Sequence, residues 1–492
     1  MTRRRVATPG GAYAAVPRGT SRHMSEPTQL TDLRAHELLA GYRRGDFSPL
    51  EVTRAVLDRM ERMQPLVNAF VRVDAEAALG MAVASTQRWR KGEPQGLLDG
   101  VPVSVKDLLL QAGGPTLRGS RTLSPQQVWD EDAPCVTRLR AQGAVLLGKT
   151  TTSEFGWKPV TDSPLTGLTR NPYDLTRTSG GSSGGSGAAV ALGAGPLSVG
   201  TDAGGSIRIP ASFCGVLGLK PTYGRVPIHP HSPYGALAHL GPMARDAADA
   251  ALLLDAISGE DWRDGTQMGP VPPVSGCLDR GVQGLRIAYS PSLGGKAAVD
   301  PTVALAVRSA VEHLAGLGAQ VEETDPGIPD VEDAFRTLWS GFSARATRHL
   351  DDERRALLDP GLREAAERGA GLSALDHLEA EEARHDLGHR MGHFHTTYDL
   401  LVTPTMPLTA FETGTDVPQR TEHADWLGWT PFTYPFNLTQ QPAATLPCGL
   451  DDEGLPIGLQ LIGARHHDAL VLRAAHALGT ALGPLPRPQP SS

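Results

Sequence analysis

Cysteine is scarce in this chain of 492 residues, with only Cys135, Cys214, Cys277 and Cys448, at no paired spacing and in no CxxC. That excludes a disulfide framework or a structural zinc built on cysteines, and it fits a reducing compartment. Aromatic residues are also few, at 5%. Neither sign of charge dominates: the net charge of −8 is small for this length and provides no electrostatic footprint for nucleic acid or an anionic membrane. No apolar run approaches the roughly 18 residues that a membrane span requires. Residues 1–26 begin basic but lack the apolar centre of a signal peptide, so they are expected to be a disordered extension, with Met24 a natural start. The cytoplasm is the expected compartment.

What the chain has in abundance is glycine, 56 residues. Eight positions near the middle, 180–187, read GGSSGGSG. Such a run could be a flexible linker, a phosphate-cradling loop or the floor of a catalytic site.

The flanking sequence reads as one α/β layered domain over 27–485, followed by a flexible tail over 486–492. SPLEVTRAVLDRMERM carries Ser48 as N-cap, Pro49 at the first helical position and Glu51 completing a capping box. VPVSV (101–105) is a short β-branched run suited to a strand buried on both faces. RLRAQ followed by GAVLL reads as helix, turn and strand, and LRIAY, YDLLVT and IGLQLIG are later strands alternating with helical stretches such as TVALAVRSAVEHLAGLG. The mixed charges over 351–385 mark a solvated helical region.

A linker would be followed by a change of composition. GGSSGGSG instead runs into AAVALGAG (188–195), an all-small apolar segment fit for burial. The phosphate reading has its own rival: GAVLLGKT (143–150) matches G-x-x-x-x-G-K-[ST] at every fixed position. In a phosphate-binding loop the strand precedes the first glycine, whereas here the variable residues are themselves strand-like. ATP binding is therefore not expected there. Catalysis is left, and TDAGGSIRIP (201–210) supports it. Adjacent glycines let backbone N–H groups crowd towards a bound oxyanion, with the Ser206 hydroxyl beside them. Lys106, at the end of VPVSVK, is a candidate base, because an apolar setting favours its neutral amine.

The run from Gly180 to Thr222 closely resembles the signature of the amidase signature family, and GVPVSVKD (100–107) resembles that family's catalytic-lysine motif. DAPCVTRLRAQGAVLLGKTTTSEFGW, SPLTGLTRNPYD, YDLLVTPT and TPFTYPFNLTQQPAATLPCG continue the resemblance in the family's order, over roughly residues 30 to 480. It implies an α/β fold with a central twisted mixed β-sheet covered by helices on both faces. It also implies a Ser–cisSer–Lys group at Ser206, Ser182 and Lys106, with a cis peptide bond before Ser182. The backbone N–H groups of Ala203, Gly204, Gly205 and Ser206 would form the oxyanion hole, and Ser183 would support the site through hydrogen bonds. Asp202 and Arg208 would orient the turn. The implied reaction is amide hydrolysis through an acyl-enzyme, with no metal and no cofactor. One departure is Thr178-Ser179, where the family more often has proline before the glycines.

The expected partner is a small-molecule aryl or alkyl amide, with no nucleic acid and no membrane; a homodimer remains open. Urethane or ester hydrolysis would use the same site. The A subunit of the tRNA-dependent amidotransferase is disfavoured, because 151–177 lacks a serine- and asparagine-rich run. Two clusters have competing readings. His385, His389 and His393 would share one helix face at ligand-like spacing, or form a solvated face. Trp426, Trp429, Phe432, Tyr434 and Phe436 would be core, or an apolar wall for substrate.

Overall fold

The computed structural model describes residues 30–419, 421 and 423–490, so the extension expected over 1–26 lies outside the described residues. The capping box at Ser48 forms as its sequence requires: Ser48 Oγ accepts from the Glu51 N–H, and the Glu51 carboxylate accepts from the Ser48 N–H at 2.8 Å. The helix it starts, Pro49–Val67, packs its apolar stripe of Val52, Val56 and Met60 inward.

Eleven strands form one mixed sheet. From edge to edge they are Phe70–Val73, Val145–Thr150, Pro102–Lys106, Leu197–Asp202, His239–Ala244, Leu217–Lys220, Ala443–Leu450, Pro456–Gly463, Leu400–Pro404, Arg286–Tyr289 and Gln320–Glu323. VPVSV, GAVLL, LRIAY, YDLLVT and IGLQLIG all fall on these strands. Pro102–Lys106 runs parallel to both of its neighbours, Val145–Thr150 and Leu197–Asp202.

Side-chain alternation shows why helices cover both faces. Leu146 joins a core cluster with helices Ala247–Ile257 and Asp468–Leu482, while Val145 and Leu147 join a different cluster with Pro49–Val67 and Gly184–Ala191. Leu400 and Val402 likewise face the first cluster, and Leu401 faces a third, built around Phe335 and Trp339. A strand buried at every position needs partners on both sides. The region 351–385 is helical, in the segments Asp352–Arg355, Pro360–Ala370 and Ala374–Phe394.

The Walker-like stretch is ruled out as a phosphate loop by its pairing. Val145–Thr150 is hydrogen-bonded between two strands, and the Lys149 side chain has no solvent exposure. Its Nζ meets the Leu109 carbonyl, Thr116 Oγ1 at 3.1 Å and the Asp107 carboxylate at 3.7 Å.

GGSSGGSG is not a linker. Its second half opens the buried helix Gly184–Ala191, whose backbone lies directly on neighbouring backbone. A Cβ on Gly185 would stand 2.5 Å from the Ala69 carbonyl oxygen and 2.6 Å from the Thr151 nitrogen; one on Gly181 would stand 2.6 Å from the Val160 carbonyl carbon. Gly185→Ala is therefore expected to cost about 1–3 kcal/mol through overpacking against rigid backbone. Urea unfolding measures it, and an unchanged midpoint would mean that this contact does not constrain the helix.

Candidate active site

The candidate residues gather at the carboxyl ends of two adjacent parallel strands, where open α/β sheets bind their ligands. Lys106 ends Pro102–Lys106, and Asp202 ends Leu197–Asp202. The turn after Asp202 carries Ser206, and the turn before helix Gly184–Ala191 carries Ser182 and Ser183. The Gly181–Ser182 peptide bond is cis.

Lys106 is fully buried, with Nζ 2.7 Å from Ser182 Oγ, 2.8 Å from Ser183 Oγ and 2.9 Å from Thr201 Oγ1. Burial carries its pKa well below the ordinary 10.5, against the opposing field of Asp202. A neutral amine has two N–H bonds and one lone pair. Three hydroxyls match that inventory, two accepting and one donating. Ser183 also ties the two turns together: its hydroxyl donates to the Thr201 carbonyl at 3.1 Å, and its N–H donates to the Ser206 carbonyl at 3.1 Å.

Asp202 organises the turn beyond it. Its carboxylate accepts from the N–H groups of Gly205 at 2.8 Å and Ile207 at 3.1 Å, and from Arg208 Nε and Nη2, both at 2.9 Å. Burial alone would raise its pKa, but the Arg208 guanidinium holds it well below the usual carboxylate range. One expected oxyanion donor is thereby engaged, since the Gly205 N–H points at Asp202. The N–H groups of Ala203, Gly204 and Ser206 make no hydrogen bond within the described residues.

Ser182, Ser206, Thr201 and Ala203 line one cavity of about 110 Å³. Its walls include Leu108, Phe155, Ile228, Tyr234 and Leu240, together with Arg118, His229 and His231. A second cavity, of about 410 Å³, is lined by none of these residues.

Sequence reasoning missed Thr201, although its place at the end of a strand and directly before Asp202 was a usable signal. It also missed Asn437 and Gln460, which bond Arg208 at 2.6 and 2.7 Å from 229 and 252 residues away. No local pattern marks such partners.

The histidine triplet stays apart. His385, His389 and His393 are exposed on helix Ala374–Phe394. Among the described residues, the one group whose ligand atoms converge is His36, Asp246 and Asp249. There the Asp249 carboxylate already accepts the N–H groups of Ala35 and His36, at 2.6 and 3.1 Å, at the start of helix Ala35–Arg44.

The aromatic cluster resolves in favour of packing. Trp429 has no exposure, stacks on Phe213 at 6.2 Å and donates its indole N–H to the Asp416 carbonyl at 3.0 Å. Trp426 packs edge-on against Trp339 at 5.5 Å, and none of the five residues lines the cavity. Its aromatic wall comes from Phe155 and Tyr234 instead, and Tyr234 is stacked on Trp339 at 4.3 Å.

Residues 51–472 match the Amidase family. An acylamidase of Rhodococcus erythropolis is 37% identical over 90% of this chain and 94% of its own length. The A subunit of a glutamyl-tRNA(Gln) amidotransferase from Chloroflexus aggregans is 36% identical over 92% of this chain and 96% of its own. The crystal structure of a bacterial aryl acylamidase of the amidase signature enzymes superposes with a TM-score of 0.84 at 31% identity, covering 91% of this chain and 96% of that one. The chain belongs to the amidase signature family. It is accordingly an enzyme of carbon–nitrogen bond hydrolysis, acting on amides.

Trp429→Ala is expected to lose about 3–5 kcal/mol of stability, as large core truncations do. The ratio of KM for aryl amides to KM for acetamide should stay constant in that variant, and should rise in Tyr234→Ala. Denaturant titration and steady-state kinetics read both. An effect of Trp429→Ala confined to aryl KM would return that residue to the substrate wall.

Proposed function

We propose that this enzyme hydrolyses small acyl amides, aryl or alkyl, through an acyl-enzyme on Ser206. The observation that carries the reading is the buried Lys106 amine, 2.7 Å from Ser182 Oγ, at a cavity that Ser206 also lines. Ser206 Oγ attacks the amide carbonyl while Ser182 Oγ takes its proton and passes its own to Lys106 Nζ. The oxygen of the tetrahedral intermediate gathers charge beside the free N–H groups of Ala203, Gly204 and Ser206, where each donor is worth about 10²–10³ in rate. The proton returns through Ser182 to the departing amine, leaving an ester on Ser206. Water, deprotonated by the same relay, hydrolyses that ester to a carboxylate and restores the hydroxyl.

The acylamidase relatives support an acyl amide as substrate. A carbamate or an ester would pass through the same steps. The resemblance to the A subunits of amidotransferases supports a second reading, in which the chain works within a larger assembly. Against it stands the composition of 151–177, which carries no serine- and asparagine-rich run. Turnover of p-nitroanilides, primary amides and carbamates by the purified chain decides between the two; a chain inert on all of them would favour the assembly.

Ser206→Ala should retain less than about 1% of the wild-type rate, since removal of a covalent nucleophile costs several orders of magnitude. A fluorophosphonate should label Ser206, as read by peptide mass spectrometry. Label on another serine, or a Ser206→Ala variant with substantial activity, would overturn the assignment.

The pH profile tests the base. The working form of Lys106 is the free amine, and its pKa lies well below 10.5. Below that lowered pKa the amine is protonated and cannot accept, so kcat/KM should rise with pH through it and then level off. Lys106→Ala should lose most of its activity together with this limb. Near-wild-type activity with an unchanged profile would mean that the proton leaves by another route.

A further inference from the structure

Arg118 stands out among the residues of the cavity because nothing pairs with it. Its guanidinium makes no hydrogen bond or salt bridge within the described residues, and its Nε is sealed from solvent without a partner. The backbone here is held in place: φ is 55°, in the left-handed region unusual for a non-glycine residue, and the Arg118 carbonyl accepts the Phe155 N–H at 2.8 Å. A side chain kept half-buried and unpaired in a fixed turn calls for a partner from outside the chain.

The surrounding charges leave that demand unmet. The carboxylate whose field reaches Arg118 is Asp107, and Asp107 also faces Lys149 Nζ at 3.7 Å. Asp107 thus has Lys149 as its ion-pair partner, and among the described residues no salt bridge joins it to Arg118. The carboxylate in the cavity lining, Asp202, is locked to Arg208 at 2.9 Å. The remaining titratable lining groups, His229, His231 and Tyr234, add no negative charge, and His229 already meets Glu131 at 3.0 Å. A planar guanidinium with free N–H groups suits a carboxylate, which it can grip with two parallel hydrogen bonds.

We propose that Arg118 is a specificity-determining residue that binds a carboxylate on the substrate, so that the preferred amides are anionic, with an apolar segment between the carboxylate and the scissile bond. The apolar segment fits the walls formed by Leu108, Phe155 and Tyr234. This rests on the acyl-enzyme reading above and narrows its substrate class.

The test uses two matched pairs of amides and the full chain. Succinyl p-nitroanilide against butyryl p-nitroanilide places the charge on the acyl side; 4-acetamidobenzoate against its methyl ester places it on the amine side. In at least one pair, wild-type kcat/KM should favour the anion by about tenfold or more, the scale of a charge-assisted contact. Arg118→Gln should collapse that ratio through KM of the anionic member, and Arg118→Lys should restore part of it. A wild-type enzyme that turns over both pairs without preferring the anion in either overturns the inference and leaves the amidase reading standing. So does an Arg118→Gln variant that loses both members equally. A wild type inert on all four, or a Ser206→Ala variant as active as wild type, defeats the functional reading and this inference with it.

Discussion

The carboxylate of Asp202, with no exposure to solvent, holds the turn that carries Ser206 together. A charge so placed requires compensation within the protein, and Arg208, equally buried, provides it through Nε and Nη2 at 2.9 Å each. Arg208 in turn donates to the Thr433 carbonyl at 2.8 Å, to Gln460 at 2.7 Å and to Asn437 at 2.6 Å. Segments far apart in the chain are thus fastened to one turn, the turn that presents Ser206 and the free N–H groups. Removing one member of such a network strands a buried charge, typically at a cost of about 3–5 kcal/mol. Geometry at Ser206 is consequently a property of the whole domain.

Three lysines have no exposure, and their partners separate them. Lys220 Nζ meets the carbonyls of Gln441 and Pro221. Lys149 Nζ meets a carbonyl, a hydroxyl and a carboxylate, and burial lowers its pKa to about 8. Carbonyls and carboxylates can only accept, so Lys220 donates to both of its partners and Lys149 to two of its three. Lys106 has three close hydroxyl partners, and a hydroxyl can give its proton to a neutral amine. Burial is common to all three lysines; a ring of three hydroxyls is found around Lys106.

Much of this was legible in the chain. The small-residue segment after GGSSGGSG announced burial, and the contacts of Gly181 and Gly185 show the reason: backbone lies against backbone there. The strand-like residues inside GAVLLGKT argued against a phosphate loop, and the strand Val145–Thr150 bears that out. Where the local signal could not decide, as with the aromatic density over 426–436, tertiary packing had the decision. Trp429 found Phe213 and Phe411, while the cavity took its rings from Phe155 and Tyr234, which lie outside that dense stretch. Gly205 is another instance: a free donor by motif, it is engaged by a carboxylate three residues earlier.

By itself the sequence determined the layered α/β class, the strand that carries Lys106, and the serine-bearing turns, because periodicity, caps and glycine content act over a few residues. Only the tertiary structure decided which groups meet. Lys106 and Ser182 are 76 residues apart, and Arg208 and Gln460 are 252 apart. Desolvation of the Lys106 amine, the free N–H groups beside Ser206 and the unmatched charge of Arg118 exist only once those distant segments close around the cavity, since burial and compensation are properties of surroundings that no short stretch contains.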